Sequence, residues 1–141
     1  MKSIYYKIIV AVILIFFLSL LYSLYLYNKP FRNVEKSKAD IEISLKELIE
    51  EYKQDEVSAN SKYLDKLIQI EGIITDISIN NGNSVLTVSE SKNNPSIICN
   101  MSPNYNVNAL KLKIGDKVSV KGICTGYLLD IILINCVLTK N

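Results

Sequence analysis

Residues 66–89 read KLIQIEGIITDISINNGNSVLTVS, and this stretch predicts a long β-hairpin. In its first half, isoleucines alternate with polar residues, which is the period of a strand with one buried face. Ile77 and Ile79 continue this alternation in the opposite phase. A change of phase within one strand requires an extra residue, so we expect a β-bulge, most naturally at Gly72 and Ile73.

The dipeptide Asn81-Gly82 in the middle of this stretch predicts the turn of the hairpin. Both residues tolerate positive φ, as a two-residue turn requires. The predicted cross-strand pairs are Ile79 with Ser84, Ile77 with Leu86, and Thr75 with Val88.

Beyond the two strands of this hairpin, further apolar alternation predicts three more strands. The predicted strands after the first are Val85–Ser89, Ser96–Met101, Lys117–Cys124 and Asp130–Leu138. We expect residues 103–110 to be irregular or a short helix. Five strands, of which the first is long and bent, with an extra segment between the third and the fourth, outline the OB-fold, a Greek-key barrel.

A helical segment precedes the predicted barrel. Ser44 and Glu47 have the spacing of a capping box, and the apolar residues from Leu45 to Tyr52 recur on one helical face. This face is suited either to packing on the domain's own core, which we favour, or to a partner groove. A second short helix is expected at Glu56–Tyr63.

The segment Ile8–Tyr27 reads IIVAVILIFFLSLLYSLYLY and has no charged residue, glycine or proline. A helix rises about 1.5 Å per residue, so this segment spans roughly 30 Å, the thickness of a bilayer core. It lacks the small residues that precede a signal-peptide cleavage site, and a small domain could hardly bury a helix that is apolar all round. We therefore predict that residues 1–27 form a single-pass membrane anchor.

The orientation of this anchor is open between two interpretations. Two lysines precede the apolar segment and four basic residues, ending at Lys38, follow it, which favours a cytoplasmic C-terminal side. A very short N-terminal tail before an uncleaved apolar segment is instead the usual arrangement for export. We favour an extracytoplasmic domain.

The remaining chain divides into a predicted linker, residues 28–43, and a predicted OB-fold domain with its N-terminal helix, residues 44–141. From Lys46 onward there are ten lysines and eleven acidic residues, so the domain is close to neutral. Nucleic-acid-binding domains normally carry a basic stripe, which makes nucleic acid an unlikely partner.

Several short motifs lie in and around the predicted strands. They are Ala59-Asn60, Lys62-Tyr63, Lys66, Gly72, Gly115-Asp116, Lys121-Gly122-x-Cys124-x-Gly126 and Asn135-Cys136. Through these motifs, residues 45–74 and 114–138 resemble the bacterial tRNA_anti-like family. The resemblance implies an OB-fold, often in a small exported or membrane-attached protein, and a structural role for the motif residues. The family name implies anticodon binding by fold analogy alone.

The residue types argue against an enzyme. The chain has no histidine, which removes the commonest general base and the usual zinc ligand. No glycine-rich phosphate-binding loop is present, and adjacent acidic pairs such as Glu50-Glu51 point away from each other on a helix. We expect no catalytic residue, no metal site and no cofactor.

The three cysteines, Cys99, Cys124 and Cys136, lack metal-site spacing and leave two interpretations open. They are either small buried residues or partners in a disulfide. If the last hairpin turns near Leu128, Cys136 lies opposite residue 120 and about 13 Å from Cys124, which is too far for a disulfide. The third and fifth strands of an OB barrel are neighbours, so Cys99 with Cys136 is the better candidate.

Cys124 stands between Gly122 and Gly126 near a strand end, where glycine marks a bend or close backbone approach. We expect this thiol to be packed and unbonded. Replacing it with serine should cost roughly 1–3 kcal/mol because the buried hydroxyl would lack a partner.

Aromatic residues that could contact a ligand are few. Tyr105 and Tyr127 lie in predicted loops and are the candidate ligand-binding residues, while the second and third strands carry neither aromatic nor basic side chains. We interpret the chain as a membrane-anchored, non-enzymatic binding module of the cell envelope, whose ligand is a protein, a peptide or a saccharide. Single-stranded nucleic acid is the alternative ligand.

Overall fold

The computed structural model describes residues 2–27, 33–90 and 95–139. The chain divides between residues 32 and 33 into two compact units, which are described separately.

The first unit is a single helix, α1 (Lys2–Tyr27). Within it, Lys7–Tyr25 is long and apolar enough to cross a membrane, and it is the one such helix among the described residues. None of these residues is buried inside the protein, so their apolar surface is available to an apolar solvent.

The second unit contains a closed barrel of five strands. Four of the five strand pairings are antiparallel and one is parallel. Its strands are β2 (Leu67–Asn80), β3 (Asn83–Ser89), β4 (Ile97–Met101), β5 (Lys117–Tyr127) and β6 (Ile131–Thr139). The strand order is β2-β3-β4-β6-β5, and the pairing of β5 with β2 closes the barrel. A 3₁₀ turn (Pro103–Tyr105) and α4 (Asn106–Ala109) join β4 to β5. This arrangement confirms the predicted OB-fold.

Two helices precede the barrel and close its core. Helix α2 (Leu45–Gln54) begins where Ser44 accepts a hydrogen bond from the Glu47 amide at 3.2 Å, as predicted. Helix α3 (Glu56–Tyr63) follows directly and is capped by Asp55. The apolar face of α2 packs in the same cluster as the inward residues of the barrel, which confirms the core interpretation of that face.

A segment of residues 33–42, here called the strap, lies on the barrel within the predicted linker. It contains a short strand not expected from the sequence, β1 (Ile41–Glu42), which pairs in parallel with β2. The Asp40 amide donates to the Leu67 carbonyl at 2.8 Å, and the Leu67 amide donates to the Asp40 carboxylate at 3.0 Å. Residues 28–32 of the predicted linker lie outside the described residues.

The predicted bulge in the long strand exists, but its predicted position is wrong. The pairing of β2 with β3 shifts between Ile74 and Asp76, so Thr75 is the extra residue. Val88 therefore pairs with Ile74 instead of Thr75, while the other two predicted pairs are confirmed. The Thr75 hydroxyl instead donates to the Thr87 carbonyl at 3.3 Å.

The predicted register of the last hairpin is also wrong. Two shifts interrupt the pairing of β5 with β6, and Leu138, not Cys136, lies opposite Val120. Asn135 has a φ of 52°, which marks the irregularity. A sequence offers no count of such extra residues, so a register extrapolated from the turn slips by the number of bulges.

Candidate ligand-binding face

Alternate residues of β3, β4 and β6 fill the barrel and leave the intervening ones outside. The inward set belongs to the main core: Leu86, Val88, Ile97, Cys99, Met101, Ile131 and Leu133. The outward set, here called the outer face, has five partly exposed members and one, Val85, that is only 8% exposed: Val85, Thr87, Ile98, Asn100, Ile132 and Ile134. This division follows from the two-residue period of a strand.

The strand order brings these outward residues together. Ile98 pairs with Thr87 on one side and with Ile132 on the other. Asn100 pairs with Val85, and Ile134 lies two residues along β6 from Ile132. The face therefore spans three neighbouring strands.

The chemistry of the outer face is apolar and uncharged. It holds three isoleucines, one valine and two neutral polar residues, and Asp76 lies at its margin, opposite Thr87 on β2. In OB-folds this side of the barrel, with its flanking loops, binds oligonucleotides and oligosaccharides. Single-stranded nucleic acid requires stacking aromatics and cations, and these six residues supply neither.

The strap covers another part of the barrel's outer surface. Val34 packs with Leu67 and Val137 in a second small cluster, against which Ile123 and Tyr105 lie. The chain itself occupies this part of the surface, whereas Thr87, Ile98 and Ile132 of the outer face stay partly exposed.

Lys121 holds the strap in place and is only 8% exposed. Its ammonium donates to the Ser37 carbonyl at 2.7 Å and to the Glu35 carbonyl at 3.5 Å. A buried charge needs such partners, so this motif lysine is structural.

The first candidate ligand residue, Tyr105, is half-buried beside the strap. Its hydroxyl donates to the Glu35 carboxylate at 3.0 Å. Burial, followed by this hydrogen bond, raises the pKa of the Tyr105 hydroxyl above its usual value. The contact engages Tyr105 within the chain, and its role towards a ligand stays a prediction.

The second candidate, Tyr127, stacks on Tyr52 with ring centroids 5.7 Å apart. The Tyr52 hydroxyl lies 3.4 Å from the Cys124 sulfur, and burial followed by this contact raises the pKa of Tyr52. Tyr127 therefore belongs to a packed aromatic group, and its role in ligand binding likewise stays a prediction. In Cys124→Ser, the new hydroxyl would have the Tyr52 hydroxyl as a polar partner. The predicted cause of the loss of stability, a buried hydroxyl without a partner, is therefore wrong.

The motif residues Lys62 and Tyr63 tie α3 to α2 through one acid. The Lys62 ammonium lies 2.8 Å from Glu51, and the Tyr63 hydroxyl donates to the same carboxylate at 2.8 Å. These hydrogen bonds hold the pKa of Glu51 below its usual value. The sequence alone does not indicate this role of Glu51, because its two partners are eleven and twelve residues away along the chain.

Three further motif residues lie where α3 meets β5. Gly126 has a φ of 110°, and a side chain there would lie 3.5 Å from the Asn60 oxygen. That oxygen is buried without a hydrogen-bond partner among the described residues. The Lys66 carbonyl accepts from the Cys124 amide at 3.0 Å, while the Lys66 side chain is exposed.

Two motif glycines allow close packing. A Cβ on Gly72 would lie 2.6 Å from Val88, and one on Gly122 would lie 2.5 Å from the Cys136 sulfur. Both distances are too short for carbon contacts, so glycine is required there for steric reasons.

The pair Gly115-Asp116 forms the turn before β5 and docks it on β2. The Gly115 amide donates to the Ile74 carbonyl at 2.8 Å, and the Ile74 amide donates to the Asp116 carbonyl at 3.0 Å. The Asp116 carboxylate accepts from the Lys113 amide at 2.8 Å. Glycine suits this turn because its φ is 98°.

All three cysteines are free and buried, as the first interpretation expected. Burial, with Cys99 as a hydrogen-bond neighbour, raises the pKa of Cys136 well above its usual value. A raised pKa keeps the thiol protonated and unreactive. No group of three potential ligands suited to a metal ion occurs among residues 2–27, 33–90 and 95–139.

The five-stranded closed barrel defines an OB-fold domain. The chain belongs to the tRNA_anti-like family, whose family model matches residues 1–138. This finding confirms the resemblance drawn from the motifs. No curated protein sequence matches the chain.

Solved structures show the same fold at low sequence identity. A lipoprotein from Klebsiella pneumoniae, described as a proposed nucleic acid-binding protein, superposes with a TM-score of 0.59 at 19% identity. The match covers 70% of this chain and 91% of that one. At this identity the similarity shows the fold alone.

Two weaker similarities carry no argument about function. The S. pombe Stn1–Ten1 complex has a TM-score of 0.44 at 23% identity, over 53% of this chain and 59% of that one. An OBody bound to hen egg-white lysozyme has a TM-score of 0.47 at 11% identity, over 57% of this chain and 87% of that one.

Proposed function

We propose that this protein is a membrane-anchored binding module that holds an apolar segment of a polypeptide on its outer face. The single observation that carries the proposal is the composition of that face, in which Ile98, Ile132 and Ile134 meet without any charged or aromatic neighbour in the set of six. Partly exposed isoleucines gain free energy when an apolar partner covers them.

The proposed anchor would hold the domain at a bilayer. Helix α1 has the length and composition of a membrane span. We propose that the domain lies on the extracytoplasmic side, in the cell envelope, as the similarity to a lipoprotein supports, and that the ligand is an envelope polypeptide.

Anchoring is tested on the full chain in its cells. We expect the protein to stay in the membrane fraction after an alkaline carbonate wash and to retain its first 27 residues. A mature N-terminus beyond Tyr27 would disprove the anchor, and a C-terminal reporter active only in the cytoplasm would disprove the proposed orientation.

Peptide binding is tested with the full chain in nanodiscs and a displayed library of extended peptides. We expect enriched peptides to bind Ile132→Asp at least about tenfold more weakly, because a carboxylate in the interface must be desolvated without a partner. The matched control is Val107→Asp, which adds the same charge at an exposed apolar position in α4. Equal binding to both variants, or no enrichment, would disprove the proposed face.

Nucleic acid is the second candidate because the Klebsiella protein is described as a proposed nucleic-acid binder. The near-neutral charge of the domain and the composition of the outer face favour a polypeptide instead.

A further inference from the structure

Two adjacent leucines form the tip of the β5–β6 hairpin and have no packing role in the domain. Leu128 is 79% exposed and Leu129 is 88% exposed. The turn is held by its backbone, through the Leu128 amide and the Asp130 carbonyl at 3.2 Å. Such tips usually carry glycine, asparagine, aspartate or serine, so neighbouring exposed leucines call for an explanation outside the folded domain.

Two contacts hold the hairpin on the domain just below the tip. Below the tip, Tyr127 stacks on Tyr52, and Asp130 accepts a hydrogen bond from the Ser96 hydroxyl at 2.7 Å. The carboxylate of Asp130 is thereby paired, which leaves the two leucines as the outermost side chains of the turn.

The chain itself brings a bilayer within reach of this tip. Six Cα–Cα steps join Tyr27 of α1 to Asn33 of the strap, a length of about 21 Å when fully extended. Val34, near the start of the strap, belongs to the small cluster against which Ile123 packs. Ile123 lies five residues before Leu128 on the same hairpin, about 16 Å along it. A connection of this length keeps the domain close to the bilayer that the proposed anchor would enter.

We propose that Leu128 and Leu129 insert into the interface of the bilayer that anchors the chain, and so fix how the barrel lies on the membrane. Interfacial apolar side chains enter about 5–10 Å into the boundary between headgroups and acyl chains. Burying two leucine side chains there is favourable in the same way as burying them in a protein core. The inference rests on the proposed anchor but not on the proposed peptide ligand.

The absence of tryptophan from the chain allows a direct test. The full chain carrying Leu129→Trp is reconstituted in phosphatidylcholine vesicles, with or without brominated acyl chains. The matched control is Ile79→Trp, which places the same probe at another exposed apolar position, 64% exposed near the tip of the β2–β3 hairpin. Both variants are first compared with the parent in thermal unfolding, which should be unchanged.

We expect the Leu129→Trp emission to be shifted to the blue in vesicles and to lose most of its intensity with brominated lipid, while Ile79→Trp keeps both. Flotation of the protein with vesicles tests the anchor separately. If the protein floats and the Leu129→Trp emission matches that of the control, the tip does not insert and the inference is wrong. If the protein does not float, the anchor is wrong and the inference fails with it. A blue shift only when a soluble polypeptide is added would assign the leucines to a protein partner instead.

Discussion

At the scale of single residues, several motif residues make contacts within the fold. Gly72 and Gly122 leave room for close neighbours, and the Cys124 sulfur lies 3.4 Å from the Tyr52 hydroxyl. Buried polar atoms are costly when unpaired, so removal of one partner should affect the other.

This coupling between Cys124 and Tyr52 can be measured. We expect Cys124→Ala to lower the free energy of unfolding by roughly 2–3 kcal/mol, because the buried Tyr52 hydroxyl loses its partner and the sulfur leaves a small void. In a Tyr52→Phe background the same change should cost about 1 kcal/mol less, because no hydroxyl is then left unpaired. Denaturant unfolding of the four proteins gives the double-mutant cycle, and strictly additive losses would contradict the contact.

At the scale of the elements, two side chains each attach one element to another. The carboxylate of Glu51 joins α2 to α3, and the ammonium of Lys121 joins the strap to β5. Each can be removed by a substitution of similar shape.

The attachment of α3 predicts a dependence of stability on pH. The folded pKa of Glu51 is depressed, so its contribution is present above the unfolded value, 4.5, and is lost as the pH falls through the folded pKa. We expect the fall in unfolding free energy below pH 4.5 to be shallower in Glu51→Gln than in the parent. Glu50→Gln is the control, because Glu50 makes only an exposed pair with Lys46 at 3.9 Å. Identical acid profiles for the two variants would contradict the proposed role of Glu51.

The attachment of the strap predicts a local change in hydrogen exchange. In Lys121→Met, the amide of Ile43, which donates to Gln69 in β2, should exchange about tenfold faster or more, since a hydrogen bond to a charged group contributes roughly 1.5–3 kcal/mol. Amides in β3 and β4 should be unchanged. Lys117→Met, at the exposed start of β5, serves as the control. Unaltered exchange at Ile43 would show that Lys121 does not hold the strap.

At the scale of the whole molecule, charge and surface composition restrict the ligand. The domain is close to neutral, and the outer face carries no cation or aromatic ring among its six residues. Counterion release is the main source of affinity for nucleic acid, and a face without cations would release few counterions.

We expect the full chain in nanodiscs to bind single-stranded DNA or RNA no more tightly than about 10⁻⁴ M at physiological salt, the weak end of non-specific binding. Fluorescence anisotropy with labelled oligonucleotides measures this affinity. Empty nanodiscs are the control. A micromolar affinity that falls steeply with salt would favour the nucleic-acid candidate over the polypeptide.

Local patterns in the sequence determined the elements of this protein. The alternation after Lys66, the Asn81-Gly82 turn, the Ser44 cap and the apolar helix each depend on neighbours within a few residues, and each is confirmed as an element. The resemblance of the motifs to the tRNA_anti-like family also implied the OB-fold. These features were readable because period, turn chemistry and capping are local properties of the chain.

Only the tertiary structure decided how these elements meet. The bulge at Thr75, the shifted register of the last hairpin, the strap and the outer face all depend on contacts between residues far apart in sequence. Ile98 and Ile132 show no more than ordinary alternation in the sequence, and they become neighbours because β4 lies beside β6. Strand order and bulges are set by packing of the whole barrel, so a candidate binding surface built from three strands emerges only when the barrel closes.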